Sequence, residues 1–186
     1  MNENRDAKET EKSLRIVELR LISELMKSSC RSDRELAKAM GVSQPTVSRI
    51  KAKLQKEGVI SEFTIIPDFR KLGYHLFALT FFSWKRGLTA EQMEEARTSA
   101  LERSSSVPSN VVLIERGIGL NYDSFMASFH RSYGSYTELV KHLKTSPYID
   151  FSRMDSFLVN LDDTIHYRHL TFSTLAKHLL ETEKRE

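Results

Sequence analysis

Two helix starts on either side of a glycine turn constrain this chain more than any other feature. Ser32-Asp33-Arg34-Glu35 is a capping box: the Ser32 hydroxyl accepts from the third amide of a new helix, and Glu35 reaches back to the Ser32 amide. The helix that follows is short, Glu35 to Met40, because Gly41 supplies the left-handed exit. After Val42, Ser43 caps another helix with Pro45 in its first turn, where a missing donor does no harm. That helix runs from Gln44 to about Lys56, and Gly58 stops it. Upstream, Leu14, Val17, Leu21 and Leu25 recur at spacings of three and four, with Ile22 close by, and predict a first helix to about Ser29. Arg15, Glu18 and Glu24 are expected on its other faces. Small Ala37 lets helices approach, and Val47, Ile50 and Leu54 bury one face of the third. This is a helix-turn-helix pattern.

The opposite face of the third helix displays Pro45, Ser48, Arg49, Ala52 and Lys56, flanked by Gln44, Thr46 and Lys53. Between Ser43 and Lys56 stand Arg49, Lys51, Lys53 and Lys56, and no acid. Gln44, Thr46, Ser48 and Arg49 lie near the helix start, where side chains reach base edges: Arg pairs with guanine and Gln with adenine. Lys51, Lys53 and Lys56 are expected at phosphates. A basic run alone is usually a solvated face; here it comes with the cap, the turn and a following apolar segment. The charge is also local. Residues 1–74 carry 15 Lys+Arg against 11 Asp+Glu, whereas residues 75–186 carry 13 against 14. A basic first part beside a near-neutral remainder fits one polyanion-binding unit.

After Gly58 the period becomes two. Val59, Ile60, Phe63, Ile65 and Ile66 predict a strand or hairpin beside the helices, closed by Pro67-Asp68. Residues 67–75 read as a linker. The second half then alternates. A strand is expected at Leu76–Trp84, then a helix opened by the capping box Thr89-Ala90-Glu91-Gln92, with Met93, Ala96, Ala100 and Leu101 on one face. A strand Val111–Arg116, a turn Gly117-Ile118-Gly119 and a strand Leu120–His130 follow. Ser135-Tyr136-Thr137-Glu138 caps a helix bearing Leu139, Val140 and Leu143, and Phe151–Leu161 is the last strand. The order β-α-β-β-α-β is the ferredoxin-like arrangement, with both helices on one sheet face. The bare face, with Phe77, Phe81, Phe82 and Trp84 in its first strand, calls for a partner. An amphipathic helix over about Phe172–Glu183 carries Leu175, Leu179 and Leu180, and its mixed charges suit packing against a partner subunit. The expected domains are a flexible tail (1–12), a winged helix-turn-helix (13–66), the linker (67–75), the ferredoxin-like domain (76–163) and a helical extension (164–186).

The segment Ser32–Gly73, "SDRELAKAMGVSQPTVSRIKAKLQKEGVISEFTIIPDFRKLG", resembles the Lrp/AsnC family, the leucine-responsive or feast/famine transcription regulators. The resemblance implies an α+β protein: a winged helix-turn-helix followed by a RAM/ACT-like βαββαβ domain for effector binding and oligomerisation. It implies a cytoplasmic regulator that binds double-stranded DNA as a homodimer or higher oligomer, without a cofactor, modulated by a small effector such as an amino acid. The DNA-binding residues would be Ser43, Gln44, Pro45, Thr46, Ser48, Arg49, Lys51, Lys53 and Lys56. The effector residues would be Gly117, Gly119, Tyr122 and Asp123, whose glycine amides suit a carboxylate and whose Asp suits an ammonium.

Other classes find little support. A single cysteine, Cys30, excludes an intramolecular disulfide and a multi-Cys metal centre, and suits a reducing compartment. The polar N-terminus is no secretory signal, and the most apolar stretch, Leu76–Trp84, is half the length of a membrane helix. His166 and His169 share a helical spacing, but no carboxylate or Cys beside them completes a metal site. No phosphate-binding loop, nucleophile elbow or zinc-protease motif occurs. Two alternatives remain: an architectural DNA-binding protein of low specificity, and a tetrapyrrole decarboxylase on the same scaffold that uses Arg70, Lys71 and His75.

Overall fold

A computed structural model describes residues 14–106, 110–165 and 170–182. The tail expected at 1–12 and the pair His166 and His169 lie outside them. The chain divides into two units: residues up to Ile66 together with the segment from Arg168 onward, and Pro67–Tyr167.

The first unit holds α1 (Ile16–Lys27), α2 (Asp33–Met40) and α3 (Gln44–Lys56). Both predicted caps form. Ser32 Oγ accepts from the Glu35 amide at 3.3 Å while Glu35 accepts from the Ser32 amide at 2.8 Å. Ser43 Oγ accepts from the Thr46 amide at 3.3 Å. Gly41 takes φ +69° between the helices. Leu21, Leu25, Leu36, Ala37, Met40, Val47, Ile50 and Leu54 form one core. Leu14, Val17 and Ile22 are half-buried and pack against it, so the predicted apolar spacings face the core.

Three features of this unit differ from expectation. Glu18 is not on a solvated face: it is 1% exposed, bonded by Arg15 and Lys53. Residues 59–66 form no strand or hairpin among the described residues. A strand needs a ladder partner, and this segment has none among the described residues: the Val59 and Ile60 amides donate back to the Leu54 carbonyl at the end of α3, and the Ser29 hydroxyl donates to the Thr64 carbonyl at 3.1 Å. Phe63, Ile65 and Ile66 stay exposed, Ile65 by 70%. The C-terminal helix α6 (Ser173–Thr182), expected on a partner, packs on α1 of its own chain, where buried Ser23 Oγ donates to the Ala176 carbonyl at 2.8 Å.

The second unit is a four-stranded antiparallel sheet in the order β2-β3-β1-β4, built from β1 (Leu76–Trp84), β2 (Val111–Gly119), β3 (Tyr122–His130) and β4 (Ile149–Asn160). Helices α4 (Ala90–Ser106) and α5 (Tyr133–Leu143) complete the βαββαβ order. Thr89 and Gln92 form the predicted box at the start of α4. α5 starts earlier than predicted, because Ser132 rather than Ser135 is its cap and accepts from the Ser135 amide at 3.2 Å.

The sheet faces sort by parity. Phe82, Met126 and Ile149 form the core with Leu139 and Leu143 of α5, and Trp84 packs against them. Phe82 and Trp84 therefore belong to the covered side, contrary to the expectation that placed them on the bare face. By register, Phe77 lies between Phe129 and Val159, and Phe81 between Phe125 and Asp155. That side remains open, and Phe157 in its row is 65% exposed.

Residues 67–75 are also more than a linker. Asp68 caps a single 3-10 turn, Phe69–Leu72, and the Phe69 ring stacks on Phe129 with centroids 3.9 Å apart. The His75 amide donates to the His130 carbonyl and the Leu161 amide to the His75 carbonyl, which lengthens the ladders of β1 with β3 and β4 by one step.

Candidate nucleic-acid interface

α3 presents its site residues in three groups. Val47, Ile50 and Leu54 turn inward and fix its roll. That roll sends Pro45, Ser48, Arg49, Ala52 and Lys56 outward, and all five are exposed. Among the described residues, Arg49 and Lys56 have no hydrogen-bonding or ionic partner. Gln44 is exposed at the helix start. Thr46 is half-buried, and its hydroxyl is 2.8 Å from the capping Ser43 hydroxyl.

The two flanking lysines behave differently. Lys53 Nζ lies 2.6 Å from Glu18 Oε1, and Arg15 donates to the same carboxylate. Glu18 is buried in α1, so this contact ties α1 to α3. The Lys53 ammonium, with Arg15 adding to it, holds the Glu18 carboxyl down to about 2 against an ordinary 4.5, despite the opposing effect of burial. On the other flank, Lys51 Nζ is 3.3 Å from Asp33 Oδ1 and 5.0 Å from the centre of the Phe63 ring. Asp33 Oδ2 also accepts from the Ser48 hydroxyl at 2.5 Å. The Ser48 and Lys51 contacts hold the Asp33 carboxyl below its ordinary value.

The predicted DNA-facing set is thus divided. Arg49 and Lys56 keep unpaired cations, whereas Ser48, Lys51 and Lys53 are engaged by acids of α1 and α2. Sequence reasoning missed Glu18 and Asp33 as members of this site. Their partners are 15 to 35 residues away, and no local spacing signals such pairs. The only available hint was negative: an acid-free helix must find its counter-charges elsewhere in the fold.

The predicted effector residues cluster at one hairpin. Gly117 and Gly119 lie in β2 rather than in a turn, and Gly119 pairs with Tyr122. The reversal is made by Leu120 and Asn121, both at positive φ. Tyr122 donates its hydroxyl to Asp155, which pushes the phenol's pKa up. Asp123 accepts from the Trp84 amide at 3.2 Å. Near the first strand, Arg70 pairs with Asp68 at 3.0 Å and His75 with Asp162 at 2.7 Å. Arg70 and His75 of the decarboxylase alternative are therefore partnered by carboxylates.

Residues 14–61 match the model for winged helix-turn-helix DNA-binding domains. The crystal structure of PH0061 superposes at TM-score 0.66 with 24% identity, covering 86% of this chain and 99% of that one. Escherichia coli AsnC gives 0.61 at 22%, covering 84% and 97%. The complex of NMB0573 from Neisseria meningitidis with L-Met gives 0.65 at 15%, covering 88% and 99%.

The fold is that of the Lrp/AsnC regulators.

Within this Lrp/AsnC architecture, sequence similarity to curated regulators covers only part of the chain. An HTH-type transcriptional regulator of Pyrococcus abyssi is 45% identical over 58 residues, 31% of this chain and 39% of that protein. PH0061 of Pyrococcus horikoshii, also an HTH-type transcriptional regulator, is 33% identical over 103 residues, 55% of this chain and 64% of that protein. The matches thus span less than two thirds of either relative.

Proposed function

We propose that this chain is a sequence-specific DNA-binding transcription regulator, dimeric, and modulated by a small effector such as an amino acid. The observation that carries this reading is the outward face of α3, where Arg49 and Lys56 stand exposed without partners above a packed core. A helix of this diameter enters the major groove. Arg49 then pairs with a guanine, Gln44 contacts an adenine, and Lys56 meets a phosphate. The winged helix-turn-helix match and the regulators it resembles support the same conclusion.

Dimerisation is supported by the open sheet face. Phe77, Phe81, Phe125 and Phe157 form an apolar surface that a second sheet would cover, at about 25 cal/mol per Å² removed from water. A two-fold dimer presents two copies of α3 to half-sites about one helical turn apart, or a multiple of that. The effector reading rests on the hairpin with Gly117, Gly119, Tyr122 and Asp123, together with the L-Met bound in the NMB0573 complex. With Tyr122 and Asp123 already engaged and Gly119 paired with Tyr122, the backbone of Gly117 on the edge strand β2 is the part of this hairpin left to meet a ligand carboxylate. No helix among the described residues is long and apolar enough to cross a membrane, and the site of action is the cytoplasm.

The test is a mobility-shift titration over a range of salt with selected duplexes. Steep salt dependence and a preferred sequence are expected, and Arg49→Ala should cost about 1–3 kcal/mol at one base position. Binding that random DNA competes away equally would indicate an architectural protein instead. Absence of salt-sensitive duplex binding would remove the proposal altogether. A thermal-shift screen of amino acids tests the effector.

A further inference from the structure

We infer that Asp33 sets what the recognition helix reads: it accepts the hydrogen bond of the Ser48 hydroxyl, so this hydroxyl meets a base only as an acceptor, and it withholds Lys51 from the DNA backbone. The inference rests on the DNA-binding reading above and adds a specificity-determining residue that lies outside α3.

A serine hydroxyl has one proton and two acceptor lone pairs. Two acceptors compete for the Ser48 proton: Asp33 Oδ2 at 2.5 Å and the Gln44 carbonyl at 3.3 Å. The shorter, charge-assisted bond to an ionised carboxylate wins. Ser48 is exposed on the outward face of α3, beside Arg49. With its proton committed, it offers lone pairs to the groove. In the major groove only the amino groups of cytosine (N4) and adenine (N6) donate to such an acceptor; guanine O6 and N7 and thymine O4 do not. A free serine would accept either pattern. Asp33 therefore converts a promiscuous hydroxyl into a reader of amino groups.

The same carboxylate acts on charge. Its other oxygen lies 3.3 Å from Lys51 Nζ, and the Phe63 ring holds that ammonium from a second side. A phosphate approaching Lys51 meets the Asp33 negative charge as well. Lys51 then contributes little to counterion release, which counts only cations that neutralise phosphate.

Four variants separate the two roles in binding-site selection and salt titration on the full chain. Asp33→Ala frees both groups: the preference for an amino-bearing base at one position flattens by about three- to tenfold, the worth of one hydrogen bond. Its log–log salt slope steepens by about 0.9, one added phosphate contact. Asp33→Asn keeps an acceptor for Ser48 but not the charge, so the preference stays and the slope steepens. Ser48→Ala loses the preference at unchanged slope. Lys51→Ala leaves the slope unchanged. If Asp33→Ala does not fold, the Asp33→Asn slope and the Ser48→Ala preference decide. Wild-type preference in either Asp33→Ala or Ser48→Ala, or a slope lowered by about 0.9 in Lys51→Ala, overturns the inference while leaving the regulator reading intact. A wild-type chain without salt-sensitive duplex binding overturns both.

Discussion

Replacing Glu18 with Gln tests whether the buried carboxylate fixes the recognition helix to the first helix. The substitution keeps shape and removes the charge that Lys53 and Arg15 share. Lowering the carboxyl from 4.5 to about 2, at ~1.4 kcal/mol per pH unit, caps its contribution near 3 kcal/mol. Lys53 remains 32% exposed and Arg15 65%, so water screens the partners and roughly 1–2 kcal/mol is expected at neutral pH. The sign follows from linkage. The folded carboxyl titrates below the unfolded one, so its stabilisation is complete above pH 4.5 and disappears as pH falls from there toward 2. Urea unfolding followed by circular dichroism should therefore show a deficit in Glu18→Gln at neutral pH that narrows steadily in acid. A deficit of constant size across that range would mean that only shape and packing are lost. No deficit at neutral pH would mean that the contact is solvated and idle. Either result refutes the tether.

Other consequences can be measured on the same preparations. Gly41→Ala should cost about 1–2 kcal/mol in denaturant unfolding, because φ is +69° while an added Cβ meets nothing within 4 Å, so the cost is conformational; Gly41→Asn should cost less. Phe69→Ala removes the ring stacked on Phe129 and should destabilise the sheet unit by about 1–3 kcal/mol in thermal unfolding, with Phe69→Leu recovering part of it. His130 is fully buried among Ser128, Asn110 and Tyr136, and burial pushes its pKa down. Its neutral form is favoured on folding, so stability should hold above pH 6.5 and fall as acid protonates it; titrated unfolding of His130→Gln should lose that slope.

Local signals carried the helices, the strand order and the outward face of α3. Caps and apolar spacings act over three to eight residues, within reach of sequence reading, and Ser32, Gly41, Ser43 and the Val47/Ile50/Leu54 triplet took the predicted places. Four other features depend on distant partners. The period-two residues after Gly58 have strand character, but a strand exists only when another backbone pairs with it. The aromatics of β1 alternate between faces, so composition alone put Phe82 and Trp84 on the wrong side. The 67–75 segment carries linker residues and an aromatic, Phe69, whose role appears only when Phe129 is beneath it. Glu18 looked like one more surface acid because its partner, Lys53, is 35 residues away.

The pairing of Glu18 and Asp33 with α3 changes what its basic composition means. With Arg49 at a base edge, Lys51, Lys53 and Lys56 suggest three phosphate contacts, and about 0.9 of salt slope for each gives a slope of roughly 2.7 per recognition helix. Folding turns Lys53 into a tether and Lys51 into the partner of Asp33, leaving Arg49 and Lys56. If Arg49 reads a base, phosphate contacts from this helix fall to one, and the slope it supplies falls to about 0.9. Such a helix adds little indiscriminate attraction, so a larger share of its binding energy comes from base edges. Acids placed on the flanks of a basic helix thus favour discrimination over raw affinity, while the same contacts fix the roll of the helix that discrimination requires.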